Sequence, residues 1–173
     1  MSCSLTLCSA STEATEKIGE CLATHLHTGD ILTLDGDMGA GKTAFTRGLA
    51  KGLGHIEGVA SPTFTIVMEH PAEREGQLPL FHFDVYRLKN SDDFLDSGLD
   101  EYFSREGVSV LEWGKIVEDV LPEDRLRILI CGTGDERELV FSFSASRCES
   151  FEQMIQELSL APDITYPKGG IVC

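Results

Sequence analysis

Positively charged side chains are scarce in this sequence. Its 173 residues include 14 Lys and Arg against 29 Asp and Glu, which gives a formal net charge of −15 at pH 7. The basic residues are scattered along the chain. Because a protein that binds nucleic acid directly neutralises phosphates with clustered Lys and Arg, the composition argues against direct contact with DNA or RNA. Any nucleic acid in the biology of this protein is expected to be held by a partner.

Long hydrophobic runs are also absent. No apolar stretch approaches the roughly 20 residues that a membrane-spanning helix needs. The first basic residue, Lys17, comes too late in the chain for the charged start of a signal peptide. We therefore expect no membrane contact and no export, with the cytoplasm as the compartment.

The cysteines show no metal-binding pattern. They form no C-x-x-C pair, and none has a histidine at the spacing of a common metal motif. Their even number allows a disulfide framework, but a chain of this length with 42 % hydrophobic residues can build a core without one. The sequence predicts reduced, mostly structural thiols at Cys3, Cys8, Cys21, Cys131, Cys148 and Cys173.

The length of the chain fits one domain with one hydrophobic core. We assign residues 1–160 to this domain. Residues 161–173, where two prolines and a Gly-Gly pair interrupt any periodicity, are predicted to form a mobile tail.

Hydrophobic periodicity predicts helices interleaved with strands. Helices are expected at about 12–27, with Ser11 as N-cap, at about 42–53, and from about 147, where Ser146 and Glu149 form a capping box. Strands are expected at 31–34, 63–69, 80–86, 108–112, 126–131 and 138–143. The alternation predicts an α/β fold, in which a mixed sheet with a parallel core and antiparallel strands is flanked by helices.

The strongest chemical motif is a glycine-rich loop between the first of these strands and the helix after it. The pattern G-x-x-x-x-G-K-[ST] is matched in full by Gly36, Asp37, Met38, Gly39, Ala40, Gly41, Lys42 and Thr43. The glycines let main-chain N–H groups surround phosphates, and the helix directs the positive end of its dipole toward them. We expect Lys42 to contact the β and γ phosphates and Thr43 to give one oxygen to Mg²⁺. A glycine turn before an ordinary helix would explain neither residue.

A magnesium ion bound to the Thr43 hydroxyl and to phosphate oxygens has further coordination positions. A carboxylate at the end of a neighbouring strand can fill one of them. The apolar strand 108–112 ends at Glu112, which makes Glu112 the preferred second metal ligand. Asp84, on the strand 80–86, is the alternative. The structural interpretation is that Glu112 pairs with a surface lysine such as Lys115.

Asp84 is also the main catalytic candidate beside Lys42, because a carboxylate facing the phosphates can orient the attacking water. Arg87 can offset phosphate charge. The structural alternative is that Asp84 pairs with Arg87 or Tyr86. His82 lies on the same strand face, where a histidine is more often a hydrogen-bonding residue than a catalyst.

Two further features have open interpretations. The segment Ser61-Pro62-Thr63 is either a switch that senses the γ phosphate or a turn before a strand. Trp113, the only tryptophan, can stack on a base, but packing in the core or an interface is favoured.

Four motifs occur together: G-D-M-G-A-G-K-T at 36–43, S-P-T-F-T at 61–65, H-F-D-V-Y-R at 82–87 and L-E-W at 111–113. In this order and spacing they closely resemble the TsaE (YjeE) family, small bacterial ATPases of tRNA threonylcarbamoyladenosine biosynthesis. The resemblance covers roughly residues 10–145. The first motif by itself is generic, whereas the combination is specific to this family.

The resemblance implies a P-loop ATPase that needs Mg²⁺, hydrolyses ATP weakly by itself and acts with the partners TsaD and TsaB. By position it implies that Lys42 binds phosphate, that Thr43 and Glu112 hold the magnesium ion, and that Asp84 matters for hydrolysis. It also implies that the partners hold the tRNA, in agreement with the acidic composition. A segment at about 9–15 is implied to lie near the adenine. The chain departs most from the family pattern at 71–79 and in its C-terminal helix and tail.

Other functions fit parts of the pattern. A small-molecule or nucleotide kinase would use Asp84 as base and Arg87 as phosphate clamp, but no arginine-rich lid is evident. A GTPase would need the order Asn-Lys-x-Asp, and the nearest string, at 89–92, has its first two residues reversed. A nucleotide-gated binding module without hydrolysis would make Asp84 an interface residue.

Overall fold

A computed structural model describes residues 2–55, 59–62, 64–132, 134–166 and 170–173. Thr63 of the predicted switch and residues 167–169 of the predicted tail lie outside these ranges. Within them, no helix is long and apolar enough to cross a lipid bilayer.

The described residues form one eight-stranded mixed sheet flanked by helices, as the alternating pattern predicts. In chain order its strands are β1 Ser2–Ser9, β2 Ile31–Asp35, β3 Val67–His70, β4 Leu80–Asp84, β5 Val108–Glu112, β6 Leu126–Cys131, β7 Arg137–Ser144 and β8 Ile164–Thr165. Across the sheet the order is β3-β4-β5-β2-β6-β7-β1-β8. The central strands β4, β5, β2 and β6 are parallel, whereas β3, β7, β1 and β8 join by antiparallel pairing.

The helices are α1 Thr12–Ala23, α2 Lys42–Gly52, α3 Ser91–Asp96 and α4 Cys148–Leu158, with short 3₁₀ helices at Leu99–Ser104, Gly114–Val120 and Ala145–Arg147. The N-cap predicted for α1 is confirmed, because the Ser11 hydroxyl accepts a hydrogen bond from the Ala14 N–H at 3.0 Å. The helix ends four residues earlier than the predicted 27, with Thr24 as its C-cap.

Apolar side chains cover both faces of the sheet in two clusters. The larger cluster joins α1, α2 and α4 to the sheet, and in it the rings of Phe143 and Phe151 stack at 3.8 Å. The smaller cluster packs β4 and β5 against α3 and the neighbouring 3₁₀ helices around Phe83 and Phe94. Every residue of β5 is buried, which is typical of a parallel strand covered on both faces.

Helices α1 and α2 approach each other closely. A Cβ atom added to Gly48 would lie 1.9 Å from the main-chain oxygen of Glu16. The glycine therefore permits a contact between the two helices that any side chain would prevent.

The capping box predicted for the last helix is wrong. A 3₁₀ turn occupies Ala145–Arg147, the N-cap of α4 is Arg147, and no side chain caps the helix. The Ser146 hydroxyl instead lies 2.6 Å from the hydroxyl of Ser144. The tight turn moves Ser146 away from the helix start, so it does not reach the first-turn N–H groups.

The strand β1 is absent from the sequence prediction, although its pattern is alternating. Cys3, Leu5, Leu7 and Ser9 are buried, and the residues between them face outward. Serine and cysteine at five of its eight positions weaken the strand signal, because neither is among the β-branched and aromatic residues enriched in strands. Pairing with β7 along eight residue pairs fixes this strand in the sheet.

The prediction that all cysteines are reduced is wrong for one pair, because Cys3 and Cys173 form a disulfide. The segment after α4 returns along β1, first as β8 and then through reciprocal main-chain hydrogen bonds between Ser4 and Val172. This return brings two thiols 170 positions apart into contact, which no local spacing predicts. The free cysteines are Cys8, Cys21, Cys131 and Cys148. The sequence did not predict the strand β8, and mobility of the segment stays a prediction.

Candidate functional site

The glycine-rich loop lies at the C-terminal end of β2, between two parallel neighbours. Gly36 has a φ of 144° and directly follows the strand, and a Cβ there would lie 2.2 Å from the main-chain oxygen of Ile130. Gly41 adopts a left-handed conformation as N-cap of α2, and no side chain caps that helix. The first N–H groups of α2 are thus left for a ligand, which is the arrangement that binds anions.

The side chain of Lys42 folds back over the loop. Its Nζ donates hydrogen bonds to the main-chain oxygens of Gly36 at 2.7 Å and Asp37 at 2.8 Å, and it lies 3.8 Å from the centre of the Trp113 ring. Burial lowers the pKa of the Lys42 ammonium, while the charge of the Glu112 carboxylate opposes that shift. The ammonium is held by carbonyls and an aromatic face, contacts that an anion can replace.

Glu112 lies directly opposite the hydroxyl of Thr43. The Thr43 Oγ1 is 3.4 Å from each carboxylate oxygen of Glu112. On its other side, Nε2 of the fully buried His82 lies 2.8 Å from Glu112 Oε1. Glu112 is therefore fixed between β4 and α2, and it does not pair with Lys115 as the structural interpretation supposed.

Asp84 is the in-register neighbour of Glu112 across β4 and β5. Its Oδ2 accepts a hydrogen bond from the Ser61 hydroxyl at 2.8 Å, and its Oδ1 accepts one from the Tyr86 N–H at 3.1 Å. The Arg87 guanidinium stacks over the exposed ring of Phe64 at 4.8 Å. The pairing of Asp84 with Tyr86, one of the structural alternatives, is therefore present as a hydrogen bond from the main-chain N–H of Tyr86.

These residues line one cavity of about 500 Å³. Its wall includes Lys42, Thr43, Asp84, Arg87 and Glu112, together with Met38, Gly39, Gly41, Ala44, Arg47, Ser61, Tyr86 and Trp113. The structure therefore brings together the loop and the two carboxylates that the sequence analysis selected. His82 lies behind Glu112, and Trp113 forms part of the wall beside the ring of Tyr86, with 4.8 Å between ring centres.

Sequence reasoning missed two arginines near the loop. Arg137, the first residue of β7, donates a hydrogen bond to the main-chain oxygen of Gly39 at 3.2 Å. Arg47 lies in the cavity wall, and its guanidinium pairs with Glu16 at 2.8 Å. Only Arg47 had a local signal, because it lies one helical turn after Thr43 on α2.

A second cavity of about 560 Å³ borders the loop at Arg137. Ser9 and Ala10, from the segment implied to lie near an adenine, are part of its wall. The remaining lining residues come from β1, from β6, β7 and the connection between them, and from the segment after α4, and none of them lines the cavity at the glycine loop.

The donor groups suit a hard cation and a polyphosphate. A hydroxyl and two carboxylates are the oxygen ligands that Mg²⁺ prefers, and Thr43, Glu112 and Asp84 supply them within one wall. Glycines with positive φ at 36, 39 and 41, an uncapped helix and a lysine make a cradle for phosphate groups. The residues present fit both a nucleotide and its magnesium ion.

Comparisons with known proteins support one family. Residues 9–139 match the family model described as threonylcarbamoyl adenosine biosynthesis protein TsaE. A relative from Bacillus subtilis, named tRNA threonylcarbamoyladenosine biosynthesis protein TsaE, is 46% identical over 154 residues, which is 88% of this chain and 92% of the relative. A relative of the same name from Treponema pallidum is 44% identical over 115 residues, 66% of this chain and 82% of the relative.

The fold also has a solved counterpart. The crystal structure of Bacillus subtilis YdiB superposes with a TM-score of 0.69 at 41% sequence identity, and the match covers 92% of this chain and 97% of that one. The four motifs, the mixed sheet and these relatives agree, and the chain belongs to the TsaE family.

Proposed function

We propose that this protein binds and hydrolyses ATP with Mg²⁺ as a component of the machinery that makes N6-threonylcarbamoyladenosine in tRNA, at position 37. The relatives' name places those proteins in the biosynthesis of this modified nucleoside. The observation that carries the ATPase proposal is the single cavity shared by Lys42, Thr43, Asp84 and Glu112.

Phosphate binding is assigned to the main chain of the glycine loop and to Lys42. The ammonium bonds to two main-chain oxygens of the loop. These contacts keep the buried charge satisfied. When a triphosphate enters, the ammonium exchanges the carbonyls for phosphate oxygens, which carry full negative charge and therefore bind it more strongly.

The magnesium ion is assigned to the Thr43 hydroxyl and the Glu112 carboxylate. When bound, it supplies positive charge that offsets the phosphates. His82 holds Glu112 Oε1 at 2.8 Å, so the carboxylate keeps one orientation. Such outer partners orient metal ligands.

Asp84 is assigned to the hydrolysis step. The Ser61 hydroxyl and the Tyr86 N–H occupy one oxygen each, which fixes the direction of the carboxylate. A carboxylate fixed in this way can accept a hydrogen bond from a water molecule and orient it toward the terminal phosphate.

The tRNA is assigned to partners of the TsaD and TsaB type. A net charge of −15 repels a polyanion, so this chain is expected to meet tRNA only through the proteins that hold it. Hydrolysis of ATP would then reset the complex after each round of modification, and the low activity of the isolated chain would rise with the partners.

The competing function is phosphoryl transfer to a small molecule, with Asp84 as the base. ADP formation separates the two functions when it is measured for the chain alone, with both partner proteins and tRNA, and with a panel of small hydroxyl acceptors. We expect turnover to rise with partners and tRNA and not with any acceptor. Turnover that depends on an acceptor and ignores the partners would contradict the proposal. Asp84→Asn is the variant to compare with the original chain in the same assay, since it keeps the shape of the side chain and removes its charge.

A further inference from the structure

A second group of metal-binding side chains lies between α1 and α4. Cys21 comes from α1, His25 follows the C-terminus of that helix, and Glu157 is near the C-terminus of α4. Their ligand atoms all lie within 4.8 Å of one another. The Cys21 Sγ is 3.1 Å from Glu157 Oε2, and the His25 Nε2 is 3.4 Å from Glu157 Oε1. None of the three lines the cavity at the glycine loop.

The imidazole of His25 has a buried nitrogen without a hydrogen bond. Its Nε2 has no hydrogen-bond partner within the described part of the chain, although Glu157 Oε1 lies nearby. The side chain is only 12% exposed, so water contributes little. A buried polar atom that lacks a partner costs free energy, and such an atom calls for an explanation. Here the nitrogen faces a carboxylate and a thiol.

The three groups match the ligands of zinc in type and spacing. Zinc binds sulfur at about 2.3 Å, imidazole nitrogen at about 2.0 Å and carboxylate oxygen at about 2.1 Å, in a tetrahedron. Those bonds place the nitrogen and oxygen roughly 3.4 Å apart and the sulfur and oxygen roughly 3.6 Å apart. The observed 3.4 Å joins His25 Nε2 to Glu157 Oε1, whereas the observed 3.1 Å joins Cys21 Sγ to Glu157 Oε2. The Glu157 side chain is 53% exposed, so a rotation of its carboxylate can bring one oxygen to both ligands.

We propose that Cys21, His25 and Glu157 form a binding site for a zinc-class divalent cation, with His25 Nε2, the Cys21 thiolate and one Glu157 oxygen as ligands. Sulfur, nitrogen and oxygen together favour zinc over magnesium or calcium, which take oxygen ligands. Cys21 and Glu157 also line a cavity of about 680 Å³ bounded by α1, α2 and α4, which gives water access to a fourth ligand position. Water can occupy that position.

Binding would connect the two helices. The cation replaces the proton of Cys21, which the thiol now donates to Glu157, and one proton is released for each ion bound. The carboxylate gains a positive partner in place of a neutral thiol. Since His25 and Cys21 are on the α1 side and Glu157 is on α4, the metal fastens the last helix to the first.

A second group of cysteines is the main rival site. The Sγ of Cys148 is 3.4 Å from that of Cys3 and 3.5 Å from that of Cys173. The disulfide between Cys3 and Cys173 removes two of these three thiolates as ligands. The oxidised chain therefore keeps only one free thiol there, whereas the site at Cys21 is intact.

Titration of the nucleotide-free chain, with its disulfide intact, with Co²⁺ and then Zn²⁺ tests the proposal. We expect one equivalent of Co²⁺ to give a thiolate-to-cobalt charge-transfer absorption, which Zn²⁺ removes by displacement. A thiolate absorption excludes Co²⁺ bound at the nucleotide site as its source, because no cysteine lines that cavity. Zn²⁺ should also raise the melting temperature of the chain.

Variants locate the ligands. Cys21→Ser should abolish the thiolate absorption, and Glu157→Gln and His25→Gln should each weaken Zn²⁺ binding by more than the roughly 10–100-fold that loss of an outer-shell partner costs. Cys148→Ser and Cys131→Ser are the matched controls and should bind as the original chain does. The proposal is overturned if the original chain shows no absorption, or if the absorption survives Cys21→Ser and disappears in Cys148→Ser. Far-ultraviolet circular dichroism checks that each variant is folded.

Discussion

At the scale of single residues, the site depends on groups held by more than one contact. Glu112 lies between the Thr43 hydroxyl and the His82 ring, and Lys42 is held by two carbonyls. Each group is buried, so each contact replaces water that the side chain has lost. A substitution there removes a ligand contact and also changes the internal hydrogen bonding.

Loss of the Lys42 ammonium should strongly weaken nucleotide binding. In Lys42→Ala we expect the affinity for ATP with Mg²⁺ to fall by about 3 kcal/mol, roughly 100-fold or more, because charge-assisted hydrogen bonds to phosphate are lost. Isothermal titration calorimetry measures this change. Lys51→Ala, on the exposed side of the same helix, is the matched control. Equal binding by the two variants would contradict the assignment.

Removal of the Glu112 carboxylate should raise the magnesium requirement. For Glu112→Ala we expect the Mg²⁺ concentration for half-maximal ATP hydrolysis to increase about 10-fold or more, since a direct ligand matters at least as much as an outer-shell partner. A magnesium titration of ADP formation gives this value. Glu123→Ala, an exposed loop residue, should not change it. Unchanged magnesium dependence in Glu112→Ala would move the metal assignment to Asp84.

At the scale of elements, the position of the loop depends on how its helix packs. Helix α2 begins at Lys42, and it lies against α1 where Gly48 meets the backbone of Glu16. The contact fixes the direction in which the N-terminus of α2 points. The edge strand β3 is attached to the rest of the fold through side chains. Arg105 and Tyr102 both donate hydrogen bonds to the carboxylate of Glu69, which is on β3.

Gly48→Ala should destabilise the fold, although alanine is the better helix former. On an open helix face the change would stabilise by about 0.5–1 kcal/mol. Here the added Cβ would lie 1.9 Å from a main-chain oxygen, and we expect a loss of about 1–3 kcal/mol from overpacking. Chemical denaturation measures the free energy of unfolding. Lys51→Ala is again the control, and a gain in stability for Gly48→Ala would contradict the close packing.

The attachment of β3 should depend on pH in the acid range. Hydrogen bonds lower the pKa of Glu69 from 4.5 to about 2, with the larger contribution from Arg105 and the smaller from Tyr102. Because the folded pKa lies below the unfolded one, the stabilisation is present above pH 4.5 and is lost as the pH falls toward 2. The effect is small, since the pair is half exposed and screened.

Melting temperatures of the original chain and Glu69→Gln test this dependence. Near neutral pH the original chain should melt at the higher temperature, and the difference should shrink as the pH falls from 4.5 toward 2 and disappear below 2. Added salt should reduce the difference at neutral pH. A difference that stays constant across the acid range would show that the carboxylate charge plays no part.

At the scale of the whole molecule, the two ends of the chain are joined at one edge of the sheet. The strand β8 and Val172 pair with β1, and the disulfide links Cys3 to Cys173. A cross-link between residues so far apart restricts the unfolded chain strongly. The stability of the molecule should therefore respond to the redox state.

Cys173→Ser should lower the free energy of unfolding under oxidising conditions by about 2–4 kcal/mol, mainly through the greater freedom of the unfolded chain. Denaturation with and without a reductant measures the effect. With reductant present, the variant and the original chain should unfold alike. Cys131→Ser, which changes an exposed free thiol, is the control. A reductant-independent difference would contradict a role of the cross-link.

Local sequence patterns are enough to predict the glycine loop, the central strands and the helices with clear periodicity. The phosphate cradle is formed by eight consecutive residues, so its geometry follows from local backbone preferences. The buried strand Val108–Glu112 was predicted at the bounds observed, because a continuous apolar run is the signal of a parallel strand covered on both faces.

Contacts between side chains that are distant in sequence follow from the packed fold and not from local patterns. Strand order places His82 beside Glu112 and brings Arg137 to Gly39, and the returning chain places Cys173 against Cys3. These partners come from strands and segments far apart in sequence, and their contacts depend on register and crossover connections. Local spacing contains no such information, because the free energy that fixes strand order is gained by packing the whole sheet against its helices.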